Sequence, residues 1–411
     1  MMRSMSLAIS ALRNHQIYMD VVSNNISNVN TTAYKGGRIA FQELLNQTLR
    51  GSSAPRGGVG GLNPVQIGLG MALAGVDTIF TQGSLQDTGK STDLAIQGDG
   101  FFVLDSGDGF YYSRDGNLDV GLDGSLLNLA TGYPVAGWQA DDNGVIDTTQ
   151  PLGSIKVPFG QTMASATSNL ELRGNLDAQA AAGDTAVVTT SVYDSLGTVH
   201  DVTITFTKDA TNNQWSWTAS TADGDIGGLT PAGTTVSFET DGSYSTTNPD
   251  TTLTIAYNNG ADSPATVNLN FSILTQLDGL SSVAPSSQDG LPPGDLSTFS
   301  VGTTGEVVGI FSNGLNRKLG QIALATFLNP GGLQKEGQSL FATSANSGVA
   351  QVGLPGQDGR GQISGGYLEM SNVELAQQFT SMIVAQRGFQ ANSRVITTSD
   401  EMLQELVNLK R

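Results

Sequence analysis

Large apolar residues recur every seven positions near the end of the chain, at Leu375, Met382, Phe389, Ile396 and Leu403, with Phe379, Ala385, Leu406 and Val407 on the intermediate rungs. That spacing draws one apolar stripe along a helix, the pattern of a coiled-coil seam. Ser371 and Glu374 stand three apart just ahead of the stripe, which predicts a capping box and a helix over 371–411. The start of the chain repeats the pattern: Met5, Leu12, Met19 and Ile26 lie seven apart, with Ala8, His15, Val22 and Val29 at the second seam position. This helix is expected to end by Val29, because Asn24, Asn25, Asn28, Asn30, Thr31 and Thr32 favour caps and turns and Gly36-Gly37 follows. The two helices could pair and close off a monomer. Burial along a lone two-helix seam is smaller than the entropy lost in ordering both helices, however, so further helices from other copies are expected to cover it. The candidate polymer contacts are Met5, Leu12, Met19, Val22, Ile26, Leu375, Phe379, Met382, Phe389, Ile396 and Leu403.

Between the ends the period falls to two. Residues 31–70 read as a linker that carries a short helix around Phe41 to Leu49 and then a Gly-rich stretch. From Met71 the pattern turns to β, and Asp115-Gly116 and Asp123-Gly124 between short apolar runs predict hairpins. Residues 151–288 read as a separate β domain, in which Val202, Ile204 and Phe206 alternate with Thr203 and Thr205, and Trp215 and Trp217 share a face. Leu253, Ile255 and Tyr257 alternate in the same way, as do Val267, Leu269, Phe271 and Ile273, which predicts an antiparallel meander or sandwich. Ser281 to Leu296 reads as its outgoing linker, and 355–370 as the linker to the last helix. The fold class is therefore mainly β with terminal α-helices: coiled-coil-like helices at 1–30 and 371–411, and nested antiparallel β domains, the first at 71–150 and 289–354 and the inserted outer one at 151–288.

Composition supports that class, with 52 glycines and only 14% charged residues in a chain of 411. Net charge is −18, so nucleic acid and anionic membrane surfaces are not expected partners. No apolar run approaches the ~20 residues that span a bilayer, and membrane insertion is not expected. The opening MMRSMSLAISALRNHQ makes a poor cleaved signal peptide, since Ser6, Ser10 and Arg13 interrupt it. Cysteine is absent, which excludes disulfides and leaves the compartment open between the cytoplasm and export with an intact N-terminus.

No catalytic constellation is visible. His15 and His200 are the only histidines, one on a helical seam and one in a predicted strand. No H-E-x-x-H or G-x-S-x-G occurs. GGVGGLN fails as a phosphate loop because Asn63 stands where the third glycine belongs, and QADDNGVIDTTQ fails as a calcium loop because Gln139 and Gln150 replace its first and last acids. No cofactor is expected. A secreted carbohydrate-active enzyme stays open, because two converging carboxylates suffice for that chemistry and 37 acids are present.

SNNISNVNTTAYK near the start, DLAIQGDGFFVL in the middle and SNVELAQQFTSMIVAQRGFQANSRVITTSDEMLQELVNLKR at the end resemble, in this order, the three signature segments of bacterial flagellar rod and hook axial proteins. Within that family NLELRGNLDA, VYDSLGTVHDVTITFTKD and LGQIALATFLNPGGL resemble segments of hook proteins rather than of the shorter rod proteins, and the likeness thins over about 210–290. The resemblance implies a structural subunit, exported uncleaved by the flagellar type III export apparatus to the extracellular hook. Its terminal helices would line the inner tube of a curved helical homopolymer that acts as a universal joint between motor and filament. It further implies the distal rod protein, the hook-cap protein and the hook-filament junction protein as partners. A distal rod subunit is the alternative within the family.

Overall fold

The computed structural model describes residues 2–55, 60–141 and 144–408. The chain divides into two compact units: Met1–Val157 with Ser300–Val307 and Lys318–Arg411, and Pro158–Phe299 with Val308–Arg317. Among the described residues the α-helices are α1 (Met2–Ser27) and α2 (Leu375–Asn408), both in the first unit, and the remainder is mainly β. α1 stops where its asparagines begin to bond one another, with Asn28 Nδ2 donating to Asn24 O and Oδ1 at 2.9 Å. The expected capping box does not form. Ser371 Oγ accepts from Val373 N at 3.3 Å instead, and the helix opens at Leu375 with Gln378 N donating to Glu374 O. The cause is Asn372, whose side chain is drawn into the β structure by bonds to Gly36 N, Ile79 O and Thr81 O.

The short helix expected around Phe41 to Leu49 is replaced by strands. Gly37–Glu43 pairs antiparallel with Met71–Thr78, and Asn46–Arg50 continues the ribbon against Val65–Gly68. The returning segment explains this: Val65, Ile67, Leu69, Met71 and Leu73 alternate at period two, and a paired strand overrides the weak helical spacing opposite it. Residues 355–370, expected as a linker, also carry strands: Gln362–Gly365 pairs with Leu94–Gln97, and Tyr367–Glu369 with Leu85–Asp87.

The main sheet of the first unit runs in the order Gln334–Gly337, Leu340–Ala342, Phe110–Ser113, Phe101–Asp105, Leu324–Thr326, Gln351–Gly353. Its core joins Phe101, Val103, Tyr112, Phe327 and Phe341, with Phe80 edge-on to Phe101. Asp123-Gly124 closes a hairpin between Leu118–Val120 and Leu126–Asn128. Asp115-Gly116 does not, because Phe110–Ser113 pairs backwards with Phe101–Asp105; Gly116 lies against Leu94 O, where a Cβ would collide.

In the second unit the expected alternations bury their apolar members. Val202, Ile204, Phe206, Trp215, Trp217, Leu253, Ile255, Val267, Leu269 and Phe271 form one core between a sheet built on Val199–Lys208 and another built on Asn169–Asp177. Ile273 departs from its run and is exposed, lying in the turn between Phe271 and Leu274. The unit is not wholly antiparallel. Asn169–Asp177 runs parallel to both Ala265–Asn270 and Leu274–Leu277, which the long chain excursion through the opposite sheet permits. Ser281 to Leu296, expected as a linker, supplies Ala284–Gln288 to the same strand and then enters Leu291–Val301.

The terminal helices as a candidate assembly surface

α1 and α2 run antiparallel. Asn25 Nδ2 donates to Gln378 Oε1 at 3.2 Å near one end, and His15 lies against Gly388 ten residues along, where a Cβ would stand 2.6 Å from the imidazole. The row of α2 that meets α1 is Gln378, Ala385, Asn392 and Ser399, seven apart and small or polar. Ala385 and Ser399 are buried, and Asn392 shares a hollow with Leu7 and Ala8. Small side chains and Gly388 let the axes approach closely, so the large apolar residues are displaced to the flanks.

The sequence-predicted contacts are divided accordingly. Val22 is buried; Met5, Leu12, Met19, Ile26, Met382, Ile396 and Leu403 are half-buried along the seam; Leu375, Phe379 and Phe389 are exposed. The side chain of Leu406 lies outside the described residues, as do Asp142 and Asn143 of the calcium-like loop and residues 57–59 of the phosphate-like loop. Ile383, Val384, Val395 and Met402 join the exposed set, although the heptad reading passed over them. A second exposed apolar surface lies on the ribbon, at Phe41, Leu45, Leu49, Val65 and Ile67. Its signal was the alternation of 65–73, obscured by the surrounding glycines.

A polar knot fastens both helices to the β structure at their shared end. Lys35 Nζ, fully buried, donates to Glu369 Oε1 at 2.6 Å and to Thr81 O at 3.0 Å. Glu369 Oε1 also accepts from Gly83 N, and its Oε2 faces Arg114 Nη1 at 3.5 Å. Burial pushes the Lys35 ammonium down from the ordinary lysine value against the pull of Glu369, and it does the same to Arg114. Asn25 Oδ1 accepts from Gly37 N at 2.9 Å while its Nδ2 donates to Gly37 O at 2.8 Å, so its amide replaces a strand partner. The sequence offered Asn25 as a cap or turn residue and gave no sign of Lys35 and Glu369, whose pairing joins positions more than 300 residues apart.

Among the described residues no group of three His, Asp or Glu side chains is placed to hold a metal. A groove of about 700 Å³ in the second unit is lined by Glu171, Asp250 and Asp289 among amides. Glu171 accepts from Asn270 and Ser287, and Asp289 from the backbone of Ser168 and Asn169, so both carboxylates serve the sheet. His200 is buried, with one carboxylate against each ring nitrogen.

Four family models match: "Flagella basal body rod protein" over 5–35, "Flagellar hook protein FlgE/F/G D1 domain" over 95–171, "Flagellar basal body protein FlaE D2 domain" over 161–291, and "Flagellar basal body rod FlgEFG protein C-terminal" over 364–409. The flagellar hook protein FlgE of Borreliella burgdorferi is 41% identical to this chain, with all of both chains covered. The chain belongs to the flagellar hook protein family. The flagellar hook protein FlgE of Treponema pallidum is 38% identical, again over the whole of both. The flagellar basal-body rod protein FlgG of Bacillus subtilis is 32% identical over the same full extent. In this hook-family chain α1 from Met5 onward and Lys35 fall within the first matched segment and Glu369 and α2 within the last.

Proposed function

We propose that this structural subunit of the flagellar hook polymerises head-to-tail through its terminal helices into a helical tube, and that the tube works as a curved universal joint passing motor torque to the filament. The observation that carries the reading is the exposure of α2. Among its described residues only Ala385 and Ser399 are buried, while Leu375, Phe379, Ile383, Val384, Val395 and Met402 face outward in a helix of 34 residues. Each such side chain covered by a neighbour contributes roughly 1.5–3 kcal/mol at full burial, so several together favour ordered assembly. Heterologous contacts whose rotation does not close generate an open helical polymer. The ribbon extends the apolar surface and is assigned to the same contact.

Export through the flagellar type III apparatus without cleavage, an extracellular location, and contacts with the distal rod, hook-cap and hook-filament junction proteins follow from the family reading. The division into nested β domains, with 151–288 as the outer one, belongs to the same proposal. A straight distal-rod role is the second reading, supported by the full-length similarity to the Bacillus subtilis rod protein. Phe379→Asp tests the contact surface. Phe379 is half exposed in the single chain, so the variant should fold normally yet form no sedimentable polymer under conditions where the parent does. Normal polymer from this variant removes α2 from the interface.

A further inference from the structure

His200 sits on the strand Val199–Lys208 with both ring nitrogens committed. Nδ1 lies 2.7 Å from Asp223 Oδ2, and Nε2 lies 3.1 Å from Asp194 Oδ2. A carboxylate only accepts, so two carboxylate partners require both ring nitrogens to carry protons: the side chain is an imidazolium. Burial, which alone would lower its pKa, is outweighed by the hydrogen bonds and charges of Asp223 and Asp194, and the value is raised. Asp194 also accepts from Leu196 N and Thr198 N at 2.9 and 2.8 Å and from Asn259 Nδ2 at 2.6 Å, so the ion pair gathers three separate loops. The third titratable group facing the ring is Tyr257, 5.0 Å away and pushed up to about 12, hence neutral throughout the relevant range. Asp225 and Asp262, on the same loops, are exposed, as is Asp201 beside His200; the Asp201 carboxylate accepts from Ser191 Oγ.

The loop after Asp194 touches the first and last segments of Pro158–Phe299, the longer of the two stretches that make up the second unit. Gly197, at φ +81°, turns its open side onto Pro293 and Ala164, 2.6 and 2.7 Å from where a Cβ would stand. Thr167 N donates to Tyr193 O, Tyr193 N donates back to Thr167 Oγ1, and that hydroxyl donates to Gln288 Oε1. Inbound residues 164–167 and outbound residues 288–293 are thus tied to one turn, and the turn is tied to His200.

We propose that His200 is a proton-dependent clasp that fixes the stem of the second unit while protonated and releases it when the proton is lost. The sign follows from linkage. A histidine whose folded value lies above its value in the open loop stabilises the closed form fully below about 6.5, the ordinary value. That stabilisation is lost as pH rises through the folded value. At the acid end the clasp persists below the ordinary carboxylate range, because the values of Asp194 and Asp223 are lowered. The stem is therefore tight at and below the ordinary histidine value, down to the lowered carboxylate values, and loosens as pH rises through the raised value of His200.

The test uses the full chain. With His15→Gln, the remaining imidazole should titrate by NMR above the ordinary histidine value. Amide exchange at Leu196, Thr198 and Thr167, corrected for the intrinsic pH dependence, should accelerate up to tenfold per pH unit between the ordinary and the folded values. His200→Gln should show fast, pH-independent exchange at these amides. If that variant does not fold, Asp223→Asn, at a partly exposed position, should shift the exchange step to lower pH. An imidazole that titrates at or below the ordinary value, or stem exchange without a step in the parent chain, overturns the proposal.

Discussion

Replacing Glu369 by Gln isolates the electrostatics of the knot that joins the two ends of the chain. The substitution keeps the volume and removes the charge, leaving the Lys35 ammonium fully buried with only Thr81 O and a neutral amide near it. Arg114 loses its paired carboxylate as well and retains the charge of Asp99 and the face of Phe101, 5.4 Å away. Removing one partner of a buried ion pair costs about 3–5 kcal/mol, most of it the unmet solvation of the charge left behind. In a unit of this size that corresponds to a melting transition lowered by roughly 6–20 °C. Calorimetry of the full chain should show this shift in the transition of the first unit, with that of the second unchanged. The deficit should shrink at high pH: without the Glu369 pull that opposes burial the Lys35 value falls further than in the parent, so the variant sheds its buried charge, and regains stability, at a lower pH than the parent does. Lys35→Met combined with Glu369→Gln should be less destabilised than Glu369→Gln alone, because the orphaned cation is gone. A first-unit midpoint within about 1 °C of the parent would refute the assignment of the knot as the fastening of the helices.

Gly388→Val should push α1 and α2 apart at His15, seen as faster amide exchange along both helices and earlier proteolysis of α2, while the β cores melt as before. Excising 170–287 and joining the cut with a short Gly-Ser bridge should leave the first unit folded, because Ser168 N and Asn169 N already bond Asp289 Oδ1 at 2.8 and 2.9 Å; loss of its thermal transition would contradict the division into two units. If that shortened chain forms tubes, they should be straighter by negative-stain microscopy than those of the parent, and equally curved tubes would show that the second unit does not set the curve.

The periodic parts of the chain are legible in the sequence. Alternation at 202–206 and 253–257 named core residues that are buried, and the seven-residue repeat located both helices. What escaped was set by distant partners. Asn25 and Asn372 have the composition of caps, yet they act as backbone surrogates because Gly37, Ile79 and Thr81 lie beside them only after folding. The stretch 37–70 reads as helix and linker because half of the ribbon's strand signal lies in the returning segment, which the β pattern enters only from Met71. The heptad pointed to the correct helix face only to within its flank, since the large residues border a seam whose middle is Ala385 and Gly388. Lys35 and Glu369 carried no local sign of pairing at all.

The central claim is that copies of this chain assemble through their helices into a curved tube. Negative-stain electron micrographs of the purified full-length chain, taken under polymerising conditions alongside Phe379→Asp, test it most directly. Curved hollow tubes from the parent and dispersed subunits from the variant are expected. Straight rigid rods would transfer the chain to the rod role, and a parent that stays monomeric at every concentration and salt, with α1 and α2 protected from protease, would contradict the claim outright.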